Sequence, residues 1–525
     1  MKGERKQKQQ KKRRERRQTG MSAPHFGMFA VGMLQLVKER EVKRNVLLLM
    51  VVLLGMACSA FGQAAETPVN IGGRLEPLVD RMLIDTLTNT THAPCPAQPG
   101  ETVLRFDAPW EGRYCGYVTV IKDGERYRMY YRGLPDDGKD GSSAEVTCYA
   151  ESLDGCRWGK PNLGLFEVRG TRENNVILAD HAPFSHNFAP FLDARPGVPP
   201  AERYKALAGT SEKGLAAFFS ADGVHWDTLK EAVITKGAFD SQNVAFWSEL
   251  EQCYVCYFRT WTENTFGGFR WISRTTSSDF LNWSAPVVMD KGEAPWEHLY
   301  TNQTQPYYRA PQLYVSIAAR FMPGRRLVSD EVAARLGIQG GYGGDCSDNV
   351  LMTSRGGNLY DRTFMEGFIR PGLGPENWTS RTNYPACGIV PTDKNEMSVY
   401  VQRNYGQPTG HLVRYPMRPD GFASVKASYA GGEMITKPLI FEGDTLLLNF
   451  ATSAAGSMRV EVQDDAGKAI DGFAADQCEE FFGDFLDRPV QWKNGKSLAE
   501  LAGKPVRLRF MMKDADLYAI QFGKG

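Results

Sequence analysis

The chain has 525 residues, 42% hydrophobic and 11% aromatic, enough to bury a substantial core in two to four domains or in one large β-architecture with an accessory module. Its net charge of +1 hides an asymmetry: of 62 basic and 61 acidic residues, 14 and 4 lie in residues 1–44 and none in 45–64, so the remainder is net acidic by 9 charges. A mildly acidic body argues against nucleic acid as a partner, and 53 glycines with 29 prolines favour turn-rich β-structure over helical bundles.

The first element is the apolar run 46-VLLLMVVLLGMA-57, preceded by Lys43 and Arg44 and followed by 58-CSAFGQAAETP-68. A spanning helix needs about 20 apolar residues. A shorter run with basic and small-residue flanks reads as a secretory signal, with Gly62 and Ala64 at positions −3 and −1 of a cut before Ala65. The basic stretch before it is too long for a signal, which makes Met21, Met28 or Met33 alternative starts. Cys58 raises a lipid anchor, although Gly55-Met56-Ala57 is a poor acceptor sequence. Export to the periplasm or exterior is expected, with membrane attachment only through an uncleaved signal or a lipid anchor. Cleavage would leave nine of ten cysteines, scattered rather than arranged as a disulfide framework. Cys253 and Cys256 have the spacing of a metal pair, but on a strand they point to opposite faces, so buried thiols are expected.

Next come five sets of strand-like runs. The first is 113–120, 126–133 and 145–152; the second is 187–194, 203–210 and 215–222; the third is 243–250, 253–260 and 269–276. The fourth is 303–310, 313–320 and 349–356, and the fifth is 386–393, 396–403 and 410–417. After the third run of each of the first three sets stands Ser-x-Asp-x-x-x-Trp: 152-SLDGCRW-158, 220-SADGVHW-226 and 277-SSDFLNW-283, with a weaker echo at 354-SRGGNLYD-361. Asp caps such a turn and Gly supplies positive φ. The period is that of a blade, and the fold class predicted is all-β, a five-bladed β-propeller over 75–424. Strands at 444–453, 457–464, 505–514 and 517–522 lack the turn and predict a β-sandwich over 425–525.

In a propeller the start of the first strand and the end of the second share one mouth of the central channel. Before the first strands stand Trp110-Glu111, His186-Asn187, Asp240-Ser241-Gln242-Asn243, Thr301-Asn302 and Arg381-Thr382-Asn383. Asn in four of five blades reads as a turn cap. Glu111 and Asp240 differ, because a carboxylate aimed into a channel must be solvated, paired or used. At the ends of second strands come Arg132, Arg259, Arg320 and Arg403, able to pair with the carboxylates or to hold an anionic substrate. Glu263, Asp345, Asp348 and Glu297 stand in neighbouring loops.

Five blades, a carboxylate before the first strand, the Ser-x-Asp turns and a C-terminal sandwich resemble the five-bladed glycoside hydrolases of families 32, 43, 62, 68 and 117, and most nearly the family 32 amino-terminal-like proteins. The turns are also similar to sialidase Asp boxes, but sialidases have six blades. The resemblance implies acids from successive blades. Glu111 and Asp240 match the first and third places, whereas Asn187 occupies the second, which leaves catalysis open.

An exported glycoside hydrolase follows, acting on a poly- or oligosaccharide with Asp240 ionised and Glu111, or Asp348 in its stead, as proton donor. His186, Asn187, Gln242, Asn243, Asn302 and Asn383 would hold hydroxyls, with Arg132, Arg259, Arg320, Arg381 and Arg403 around them. A lectin-like binding propeller and a phosphate-dependent phosphorylase are the alternatives. No cofactor or metal is demanded: phosphate-loop, zinc and nucleophile-elbow motifs are missing, and no ligand spacing requires calcium.

Overall fold

The computed structural model describes residues 67–525 apart from 136–140, 264–265, 339–340, 494 and 525; the basic head, the apolar run and the candidate start sites lie outside them. No helix among the described residues is long and apolar enough to cross a membrane. Among the described residues the one α-helix, Asp330–Arg335, is short and is capped by Ser329, whose side chain accepts from Val332 N–H.

The five predicted sets are five antiparallel sheets of a propeller. Blade I is Gly116–Asp123, Arg126–Gly133, Val146–Ser152 and Val176–Leu178; blade II is Ala189–Leu192, Tyr204–Thr210, Gly214–Ser220 and Asp227–Ile234. Blade III is Val244–Ser248, Cys253–Glu263, Gly267–Ser277 and Val287–Val288. Blade IV has Leu299–Thr301 and Gln305–Tyr307 as a broken inner strand, then Ala310–Met322, Cys346–Ser354 and Gly367–Ile369. Blade V is Val390–Asp393, Glu396–Arg403 and His411–Met417, and its outer strand comes from far upstream, Thr102–Arg105 pairing with His411–Val413. That borrowed strand closes the ring and leaves blade V no open edge there.

Second and third strands are buried on both faces because each blade packs against two neighbours. Cys253 and Cys256 show this: Cys256 lies in the core shared with blade II, and Cys253 packs against the core shared with blade IV. Both thiols are free, Cys256 buried as expected and Cys253 only half-buried, and facing opposite sides of the strand they cannot pair with each other.

The Ser-x-Asp turns are built alike. Ser220 Oγ accepts from Gly223 N–H at 2.8 Å, Asp222 Oδ1 accepts from Val224 and His225 N–H at 2.8 Å each, and Trp226 Nε1 donates to Gly223 O at 3.1 Å. The turns at Asp154 and Asp279 repeat this pattern. In the third, Phe280 takes the Gly place at φ 70°, and its ring is held in the core by Tyr254 and Trp283. Burial works to raise the Asp222 carboxyl, but the His225 side chain and the two amides hold it at about 2. Because that lies below the unfolded value of about 3.9, the turn's contribution is complete above that pH and is lost as pH falls through 2. Asp222→Ala is expected to cost about 1 kcal/mol at pH 7, with the difference from wild type closing near pH 2 in denaturant melts.

The C-terminal strands differ from the expectation in two ways. The segments 444–453 and 457–464 are one strand, Thr445–Gln463, and 505–514 with 517–522 are one strand, Arg507–Gly523, the two paired along their length across irregularities at Asn449/Phe450 and Thr452/Ser457. An eight-stranded sheet forms around this pair, and a separate parallel pair joins Val69–Gly72 to Leu439–Phe441. Ile71, Leu446, Val460 and Phe510 share its core. Within 76–94, a stretch the sequence groups with the propeller, Glu76–Pro77, Ile84–Thr88 and Thr90–Pro94 are hydrogen-bonded to this sheet instead. Arg355 ties the sheet to blade IV through Glu76 at 2.8 Å and Asp80 at 2.7 Å.

Candidate functional site

Strand register assembles one mouth of the channel. Gly116 at the start of the blade I inner strand faces Arg132 at the end of the second, which faces Thr147 at the start of the third. In blade IV, Leu299 faces Arg320, which faces Asp348. A Cβ at Gly116 would stand 2.5 Å from Gln402 Oε1, so any side chain there would have to displace the Gln402 amide. Beside the inner-strand starts, Tyr117, Tyr300 and Tyr384 pack together with Phe321.

Asp240 stands at this mouth with its side chain 37% exposed, and its Oδ2 accepts from Arg259 Nη2 at 2.8 Å. The Arg259 side chain is 2% exposed and lies 4.8 Å over the Tyr300 ring. Arg381 and Arg270 approach the same ring at 5.5 and 5.6 Å, and Arg381 Nη1 donates to Tyr342 Oη at 3.1 Å. Burial, and then the Tyr300 phenol, push Tyr384 well above its ordinary range. Burial does the same to Tyr117, with Tyr300 and Asp240 adding to it. Both phenols are neutral at pH 7.

Glu111 does not reach this centre. It is wholly buried, its Oε1 accepting from Tyr131 Oη at 2.6 Å and its Oε2 from Lys160 Nζ at 2.7 Å and Ala108 N–H at 2.9 Å. Three donors from within the protein hold this carboxylate in a fully buried site.

The blade II place holds Asn187, and the sequence reading missed the acid beside it. Glu145, just before the blade I third strand, is buried and accepts from His186 Nδ1 at 2.9 Å and Asn187 N–H at 3.3 Å. Burial alone would raise the Glu145 carboxyl, but His186 and Arg132 hold it below its usual range. Arg132 donates to Tyr114 O at 3.0 Å and Tyr405 Oη at 2.9 Å. His186, Asn187 and Arg132 thus form one buried polar knot with Glu145.

The amides turn out to be mostly structural. Gln242 Nε2 donates to Thr119 Oγ1 at 2.7 Å, and Gln303 Nε2 donates to Gln242 Oε1 at 2.7 Å, a cross-channel brace. Asn243 donates to Ser241 O at 3.0 Å, Asn302 accepts from Thr304 N–H at 2.9 Å, and Asn383 donates to Ser347 O at 2.8 Å. These are the turn caps that the recurrence of Asn implied. Arg403 is absorbed by Pro371 O, Asn383 and Tyr415.

Asp348 meets Arg320 in a two-pronged pair at 2.8 and 2.6 Å. Arg320 also donates to Glu297 at 2.9 Å, and Arg362 donates to the other Glu297 oxygen. This network floors a cleft of about 710 Å³ lined by Phe269, Trp296, His298, Phe321 and Trp378. Trp296 is 42% exposed there and stacks near Phe269. The cleft adjoins the Asp240 centre through Phe321, over which Arg270 lies at 4.7 Å.

The tyrosines and Arg270 were also missed. The recurrence of Tyr117, Tyr300 and Tyr384 beside three inner-strand starts was the available signal. Arg270, on a third strand, carried none. Among the described residues no group of three or more His, Cys, Asp and Glu could hold a metal ion.

No family model matches the chain, and no curated protein matches it. Solved structures with similar architecture include a glycoside hydrolase at 12% identity and TM-score 0.41, covering 62% of this chain and 93% of that one. An exo-inulinase from Aspergillus awamori has 12% identity and TM-score 0.34, covering 85% and 99% respectively. A β-1,2-mannobiose phosphorylase from Listeria innocua has 9% identity and TM-score 0.38, covering 59% and 90%. At those identities and TM-scores no substrate and no catalytic residue passes from them to this chain.

Proposed function

We propose that this five-bladed propeller is an exported carbohydrate-active protein that engages a saccharide at its tyrosine- and arginine-lined mouth and hydrolyses a glycosidic bond with Asp240 as the ionised carboxylate. The observation that carries this reading is the contrast at the inner-strand starts. Asp240 is partly open to solvent and oriented by one guanidinium, while Glu111 is enclosed and Asn187 replaces an acid. An ionised, oriented, accessible carboxylate is what attack on an anomeric carbon, or activation of water, requires. Trp296 and Phe269 in the adjoining cleft offer faces on which sugar rings stack. The C-terminal sheet, folded on itself as a sandwich, serves as a packing or sugar-binding accessory. No cofactor takes part, and the partner is the carbohydrate alone.

A second reading, saccharide capture without turnover, is favoured by the enclosure of Glu111, because two-carboxylate hydrolysis needs a proton donor opposite the base. Incubating the purified chain with neutral and acidic plant and algal polysaccharides, and measuring both binding and new reducing ends, separates the two. Binding with product release supports hydrolysis. Binding without product, with or without added phosphate, leaves capture. Product only with added phosphate identifies phosphorolysis.

A further inference from the structure

The next step rests on the reading that the mouth binds a saccharide, and it concerns the charge of that saccharide. Three guanidinium groups converge on the Tyr300 ring, those of Arg259, Arg381 and Arg270. Like charges held this close repel one another. Burial holds the Arg270 guanidinium below its ordinary value, and Arg259 and Arg381 add to the effect. Among the described residues Asp240 is the one carboxylate hydrogen-bonded to any of the three. One carboxylate does not balance three guanidinium groups.

The donors tell the same story. Nε and Nη1 of Arg259 and Nε of Arg270 are buried with no hydrogen-bond partner, as is Tyr384 Oη. Each such orphan is destabilising until a partner arrives, and Arg259, 2% exposed, cannot turn outward to find water. Asp240 occupies only Nη2 of that guanidinium, so its other two nitrogens stay unsatisfied beside it. Elsewhere in the same mouth Arg132 and Arg403 are taken up by backbone carbonyls and phenols. Of the arginines at this mouth, Arg259 and Arg270 are the ones with buried, unsatisfied guanidinium nitrogens, and positive charge is in excess beside them.

We propose that the mouth is specific for an anionic saccharide, one bearing a uronate carboxylate or a sulfate ester, whose acid group takes the open donors of Arg259 and Arg270 beside Arg381. Charge-assisted bonds from guanidinium to carboxylate or sulfate oxygen are among the strongest single contacts a protein makes. The neutral Tyr384 hydroxyl adds a donor on the same side. Asp240, bonded to the same guanidinium, keeps the acid group away from itself by repulsion, so the substituent and the reacting carbon fall on different sides of Arg259.

The test is calorimetric binding of the full chain to matched pairs: oligogalacturonate against its methyl ester, and a sulfated galactan oligosaccharide against its desulfated form, with inorganic phosphate as a further probe. The acidic member of one pair is expected to bind at least about tenfold more tightly than its neutral counterpart, with the preference shrinking as salt is raised; the pair that shows it identifies the acid. Arg381→Gln and Arg270→Gln should each lower the ratio of acidic to neutral binding, and they cover the case in which Arg259→Gln does not fold. Asp240→Asn, by removing the one opposing charge, should widen it. Equal binding of acidic and neutral members overturns the anion inference and leaves the saccharide reading standing. Binding of no saccharide overturns both, and phosphate binding as tightly as the acidic sugar reassigns the site to a free inorganic anion.

Discussion

Asp240→Asn is expected to lower the rate of glycosidic cleavage by on the order of 10³-fold, the scale of a positioned acid or base, while the chain stays folded and still binds saccharide. Asn is isosteric and keeps one oxygen toward Arg259 Nη2, so the 2.8 Å contact survives as a weaker hydrogen bond. The loss of charge falls on a guanidinium 2% exposed, and breaking a buried pair outright would cost about 3–5 kcal/mol. Retaining the acceptor, with the Asp240 side chain 37% exposed, holds the cost well under that. Product release and a thermal melt on the same preparation decide the matter. Unchanged turnover, or a variant that no longer folds, removes Asp240 from the chemistry.

Glu111→Ala should show the opposite signature, a destabilisation of about 3–5 kcal/mol. The side chain is 0% exposed and joins Tyr131, the Ala108 amide and Lys160. Its removal leaves an ammonium, 23% exposed, without the nearer of its two carboxylates; the other is Asp107 at 3.0 Å. It also strands the Tyr131 hydroxyl in a buried site. The double variant Glu111→Gln with Lys160→Met should recover part of the loss, because removing both charges abolishes the desolvation cost along with the attraction. Chemical denaturation of the two variants beside the wild type measures this. If Glu111→Ala retains full stability and loses only turnover, the carboxylate is catalytic after all.

These two residues show where sequence reasoning reaches and where it stops. Both are carboxylates just upstream of an inner strand, and pattern alone treats them as equivalent. What separates them is Lys160, 49 residues from Glu111 in the chain, arriving on the loop that follows the first Ser-x-Asp turn. Likewise, the row Arg132, Arg259, Arg320 and Arg403 was legible from strand alignment. That three of them are bound by Tyr405, Asp348 and Asn383, while Arg259 keeps buried, unsatisfied nitrogens, was not.

The sequence by itself determined the repeat: blade strands such as Arg126–Gly133 and Glu396–Arg403 begin and end where alternation and turn residues place them. It also determined the Ser-x-Asp turns, whose hydrogen bonds span at most a few residues. Local chemistry suffices there because partner and donor are neighbours in the chain. Only the tertiary structure decided the closure of blade V by Thr102–Arg105, the transfer of three strands within 76–94 to the C-terminal sheet, and the convergence of Arg259, Arg270 and Arg381 on Tyr300. Each joins segments that no periodicity relates. Whether a charge is solvated, paired or left waiting depends on which distant segment folds against it.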